Sequence, residues 1–191
     1  LSFLARVIER QSNEKAIVSI LLLDKEGCLR HGAAPSLPDD YINAIDGLKA
    51  LADFGTCSAA AATGEIVITT DIEAAPQWEG LKHLPLALGL KAAWSQPIFS
   101  RDGKVIGTFG TYYRECREPS AQKRRMVDML ARMAAIAIEH AQDESMIRER
   151  ENQFRDMADS INQMIWVTRP DGYHEYYNKR WYEYTGVPLG S

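Results

Sequence analysis

The period of the hydrophobic pattern changes several times along the chain, and each change marks an element. Phe3, Leu4, Val7 and Ile8 recur at helical spacing and predict a helix that ends near Asn13. KAIVSILLLD, residues 15–24, is rich in β-branched and apolar residues; KEG turns it and CLRHGAA, 28–34, follows, which predicts a β-hairpin. PSLPDDYINAIDG places Pro38 and two acids at the start of a short helix and Gly47 after its end. GTCSAAAATG predicts a helix of one to two turns, capped by Thr56 or Ser58 and ended by Gly64. EIVITTD, 65–71, reads as a strand, and 72–90 as an irregular to helical stretch broken by Pro76 and Pro85. AAWSQPIFS, 92–100, and VIGTFGTYY, 105–113, flank an Asp-Gly turn and predict a second hairpin.

From Pro119 the pattern settles into that of a helix. Residues 120–160 hold no Gly and no Pro and mix charges of both signs, which predicts one long helix. Over 126–138 it is apolar all round. Val127, Leu130, Ala131, Ala134 and Ile138 form one stripe, and Met126, Met129, Met133, Ile136 and Ala137 fill the rest. A helix apolar on every side has to be covered on every side. The domain's own sheet can cover one stripe, so a homodimer through the terminal helices is expected. Its candidate interface is Met126, Met129, Leu130, Met133, Ile136, Ala137, His140 and Ile147. A 4–3 spacing can be traced on to Phe154, but with three polar members it makes a weak coiled coil. The competing reading is a solvated helix of a monomer.

Beyond Ala158, QMIWVTRPDGYHEYYNKRWYEYTG, 163–186, predicts strand, Asp-Gly turn, strand, short helix and a Gly stop. It carries two of the four tryptophans and five of the eight tyrosines, the density of a core. Yet about 30 residues follow the long helix, fewer than the ~40 usually needed to fold unaided. The stretch therefore reads as the opening of a second domain. The expected divisions are 1–142, a linker helix over 143–160, and 161–191.

Composition narrows the function classes. A net charge of −4 gives no basic footprint for nucleic acid. No apolar run approaches the ~18 residues of a membrane span, so no membrane partner is expected. The N-terminus has no starting Met, basic region or cleavage site, and begins in mid-pattern, which reads as a piece of a longer protein. Cys28, Cys57 and Cys116 are far apart and form no CxxC, which suits a reducing cytoplasm.

Three stretches, GTCSAAAATGEIVITTDIEAAPQWEGLK, GLKAAWSQPIFSRDGKVIGTFGTYYRECREPS and MLARMAAIAIEHA, resemble the GAF modules of bacterial sensor histidine kinases and related signalling proteins, over about residues 1–142. FRDMADSINQMIWVTRPDGYHEYYNKRWYEYTGV resembles the start of a PAS domain, over about 154–187. The GAF resemblance implies an α+β fold: a central antiparallel sheet of five or six strands, terminal helices on one face, where they often dimerise, and a ligand pocket on the other. The pocket would lie under loops 37–63 and 72–91. GAF, helix, PAS is an order found upstream of a histidine kinase or cyclase core. A signal would then pass as a change in helix packing between protomers. The fold by itself names no ligand.

Cys57 reads either as a small buried residue or as a thiol activated at a helix N-terminus. It stands where GAF-type methionine sulfoxide reductases have a GVCG stretch. Those enzymes need further cysteines in the loop that here reads PQWEGLKHLPLALG and has none. Bilin attachment uses a cysteine followed by His, whereas Leu29, Ser58 and Arg117 follow here. Haem would need an axial ligand, with His83 the sensible candidate. The cyclic-nucleotide signature and any Gly-rich phosphate loop are absent. No ATP-binding lobe fits after residue 160, and His140 is in no recognisable phosphoacceptor context. The expectation is therefore a non-catalytic domain without cofactor or metal, binding an unidentified small molecule. Trp78, Leu81, Leu84, Leu88, Trp94 and Tyr112 would line the site; Thr56, Cys57, Gln96 and the backbone of 57–63 would orient a polar or anionic group. Alternatively these residues simply fill the core, a choice left open for Trp94 and Leu88. The rival class is a ligand-free dimerisation module.

Overall fold

The computed structural model describes residues 1–11 and 16–188. The helix end expected near Asn13, and Lys15 at the start of the first expected strand, lie outside the described residues. The chain divides into two units, Leu1–Glu139 and His140–Ser191.

The first unit runs α1 (Ser2–Gln11), β1 (Ile17–Leu23), β2 (Leu29–Ala33), α2 (Asp39–Ile45), α3 (Thr56–Thr63), β3 (Val67–Thr69), a 3-10 turn (Pro76–Trp78), α4 (His83–Ala87), β4 (Ala92–Phe99) and β5 (Val105–Tyr113), and ends in α5 (Ala121–Ser160). Both predicted hairpins form, and β1 pairs with β5 to join them. The result is one antiparallel five-stranded sheet in the order β2-β1-β5-β4-β3, the α+β fold expected. Pro97 sits in an inner strand, where a missing N–H normally breaks a ladder. Here β3 pairs only with Ala93–Ser95, so at Pro97 β4 has a strand on one side alone.

Strand alternation sorts the residues onto two faces. Val18, Ile20, Trp94, Ile98, Phe109 and Tyr113 meet Leu4, Ala5 and Ile8 of α1 and Val127, Leu130, Ala131, Ala134 and Ile138 of α5. Leu21, Ala93 and Tyr112 point the other way, into a second core beneath α2, α3 and the loops. The terminal helices therefore take one face and the loops the other. Leu130 corrects one interface expectation: at 4% exposure it is spent in its own domain's core. Met126 is half-buried against the same core. Met129, Met133, Ile136 and Ala137 remain exposed.

In the second unit α5 continues from His140 and is followed by β6 (Trp166–Thr168), β7 (His174–Tyr177) and α6 (Lys179–Thr185). β6 and β7 pair antiparallel and Gly186 ends α6, the strand, turn, strand, helix and Gly stop read from the sequence. Asn178 is fully buried and fully used. Its Oδ1 accepts from the Ile165 and Trp181 N–H groups, and its Nδ2 donates to the Ala158 and Gln163 carbonyls. His140 and Ile147 are exposed in this unit, and His140 Nδ1 lies 3.6 Å from Glu144 Oε1.

Candidate ligand site

The loop-side face is built around α3, whose sequence TCSAAAAT is small enough to lie close on the sheet. Gly55 occupies its N-cap position with no side-chain cap, so neither Thr56 nor Ser58 caps it as expected. Thr56 is already helical. Ser58 Oγ instead bonds the Lys49 carbonyl and accepts from Leu51 N–H, tying the preceding loop to the helix. Gly64 ends α3 in the left-handed conformation, φ 70°, as read from the sequence.

Gly110 of β5 explains how α3 approaches so closely. A Cβ there would stand 2.7 Å from both Cys57 Sγ and Ser19 Oγ, too close for any side chain. Cys57 is buried, its Sγ 3.1 Å from Ser95 Oγ, which in turn donates to Thr56 Oγ1 at 3.0 Å. The thiol fills a slot that a missing Cβ opens, which favours the small-residue reading of Cys57.

Between α2, α3 and the 3-10 turn lies a cavity with about 30 Å³ of room for water, or about 340 Å³ when the solvent at its open mouth is counted. Thr56, Cys57, Trp78, Leu81 and Tyr112 of the expected set line it. Leu84 and Leu88 are half-buried against the same core but do not line it. Trp94 and Gln96 are corrected outright. Both alternate onto the helix face, where Trp94 Nε1 donates to Tyr113 Oη at 3.2 Å and Gln96 pairs with Phe109. His83 is exposed at the start of α4 and outside the cavity.

The sequence reading missed Tyr41, Ile45, Leu48 and Phe54, all of which line the cavity. Tyr41 and Ile45 carried a signal, being spaced four apart on α2 and both buried. Tyr41 meets Tyr112 edge-on, with centroids 6.1 Å apart. Burial, first of all, pushes both phenols above their ordinary range; at Tyr112 the neighbouring Tyr41 and Cys57 add to the effect. Ser19 Oγ, buried beside Tyr112, makes no well-formed hydrogen bond. The 3-10 turn is pinned over the site. Trp78 Nε1 and Gln77 Nε2 both donate to Thr69 Oγ1, and Gly55 N–H donates to the Gln77 carbonyl. Among the described residues no three His, Cys, Asp or Glu converge as metal ligands. No helix among them is long and apolar enough to cross a membrane.

Comparison with known proteins bears on the same region. The family model for the GAF domain matches residues 1–139. A methyl sulfide methyltransferase-associated sensor of Methanosarcina acetivorans is 40% identical over 157 residues, covering 82% of this chain. The chain spans only 16% of that relative's length. A domain described as that of a two-component sensor histidine kinase from Sinorhizobium meliloti 1021 superposes with a TM-score of 0.62 at 25% identity, covering 76% of this chain and 92% of the other. A type II free methionine-R-sulfoxide reductase from Thermoplasma acidophilum superposes with a TM-score of 0.60 at 17% identity, covering 73% and 89%. That last likeness is one of fold alone.

Proposed function

The chain belongs to the GAF-domain family, and on that premise we propose that it is the sensory part of a cytoplasmic signal-transduction protein that binds a small molecule under its loops. The observation that carries this reading is the cavity on the loop face, lined by Trp78 and Tyr112 among others. Likeness to the Methanosarcina sensor supports the same class. The site has no catalytic role in this reading. A reductase needs a resolving thiol near the first, and Cys57 is the one sulfur among the cavity's lining residues.

The output is relayed through α5. The half from residue 126 leaves Met129, Met133 and Ile136 in solvent at 57%, 48% and 69% exposure. Burying each such side chain gains about 1.5–3 kcal/mol, which favours a homodimer through α5. Residues 161–191 open a PAS domain, and a histidine kinase or cyclase core receives the signal. Native mass spectrometry of freshly purified protein tests the reading, because it reports copurified ligand and dimer mass together. The combined Met133→Glu and Ile136→Glu variant should be monomeric by light scattering. A dimer that survives the change would place the interface elsewhere and remove the relay through α5. A dimer with no ligand under any condition would favour the ligand-free dimerisation module.

A further inference from the structure

We propose that the loop-side cavity selects an uncharged and largely apolar molecule of a few heavy atoms carrying one hydrogen-bond acceptor, which the phenol of Tyr41 receives. The proposal rests on the small-molecule reading of this same site and names its ligand class.

Charge comes first. Not one of the cavity's lining residues is Asp, Glu, Lys, Arg or His. Leu21, Leu29, Ile45 and Leu81 make much of its wall apolar. An ion entering such a site gives up its hydration and meets no counter-charge. The raised phenols show the same property from the protein's side, since surroundings that resist a phenolate also resist a carboxylate. The anionic ligand that a helix N-terminus at 57–63 invites is therefore the wrong class here.

Polarity comes second. Most polar groups around the cavity are already engaged. Ser58 Oγ is held by Lys49 and Leu51, Trp78 Nε1 by Thr69, and Thr56 and Cys57 by Ser95. The Tyr112 hydroxyl is engaged with Tyr41, to which it donates, and with Ser19; Tyr41, accepting from Tyr112, keeps its own hydroxyl hydrogen for a ligand. It supplies a donor, so the ligand supplies an acceptor. Size comes third. The room that a water could occupy is about 30 Å³, roughly two to three waters' worth, so the ligand has only a few heavy atoms.

Four probes of one size test this on the full chain: acetone, isobutene, acetate and isopropylammonium, followed by amide chemical shifts in the 15N spectrum. Acetone should shift the signals of Thr56, Cys57 and Leu81, and the two ions should not at the same concentration. Tyr41→Phe should weaken acetone by about three- to tenfold, the worth of one net hydrogen bond, and leave isobutene unchanged. If either ion binds at these residues as tightly as the ketone, the charge rule is wrong while the small-molecule site stands. If isobutene binds as well as the ketone, or Tyr41→Phe changes nothing, the acceptor rule is wrong. If none of the four moves these signals, the small-molecule reading falls with the proposal.

Discussion

On one face of the sheet Trp94, Phe109 and Tyr113 are sealed beneath α1 and α5; on the other, Ser19, Ser95 and Gly110 lie beneath a helix made largely of alanine. The first face is filled by large rings that leave nothing over. The second is filled by small groups, with two phenols standing at the edge of a cavity. The same strands supply both, because alternation sends neighbours such as Tyr112 and Tyr113 to opposite sides. The packed core and the cavity are thereby separated by one residue's step along a strand.

That contrast can be broken most forcefully at Trp94. Trp94→Ala should cost about 3–5 kcal/mol in urea unfolding, because its ring is fully buried and well packed. A loss below about 1 kcal/mol would mean the helix face is not the rigid core. Gly110→Ala should cost about 1–3 kcal/mol by overpacking, since the new methyl meets Cys57 Sγ and Ser19 Oγ. Adding Cys57→Ala to Gly110→Ala should recover part of that cost, and two strictly additive losses would refute the shared slot. Cys57→Ala alone should cost at most about 1–2 kcal/mol and leave the fold intact. Turnover of free methionine sulfoxide that vanished in this variant would make Cys57 catalytic after all.

The smallest effect is nil at neutral pH. The buried phenols of Tyr41 and Tyr112 titrate above the ordinary value in the folded state. Below about pH 10 both states hold the proton and the groups do not disturb stability. As pH rises past that point the unfolded chain loses its protons first, so stability falls. Urea midpoints taken across that range should drop more steeply for the parent chain than for Tyr41→Phe. Parallel curves would show that Tyr41 is not shielded from water.

Much of the fold was legible because its signals are local. The hairpins follow β-branched runs around KEG and RDGK, and α5 follows a stretch of 120–160 free of Gly and Pro. The inward stripe of α5 was legible too, through its helical spacing. What lay beyond reach depends on pairing across the chain. Trp94 and Gln96 could not be assigned a face until β4 met β5 and β5 met β1, a register closed between residues some 90 positions apart. Leu48 and Phe54 reach the cavity from an irregular loop, where no period exists to read. The Ser58 cap failed because the helix begins at Gly55, which left its hydroxyl to the strand-like loop before it.

The six methionines all fall between Met126 and Met164. None lies in the sheet, in α3 or in the loops over the cavity. A chain labelled at its methionine methyl carbons would therefore give a spectrum blind to the cavity's face and confined to α5 and the few residues after it. Any molecule that enters under the loops and moves those methyl signals has acted at a distance, and one that leaves them unmoved has been bound without being reported. The chain thus carries a reporter group for changes in α5, separate from any reporter of the cavity's occupancy.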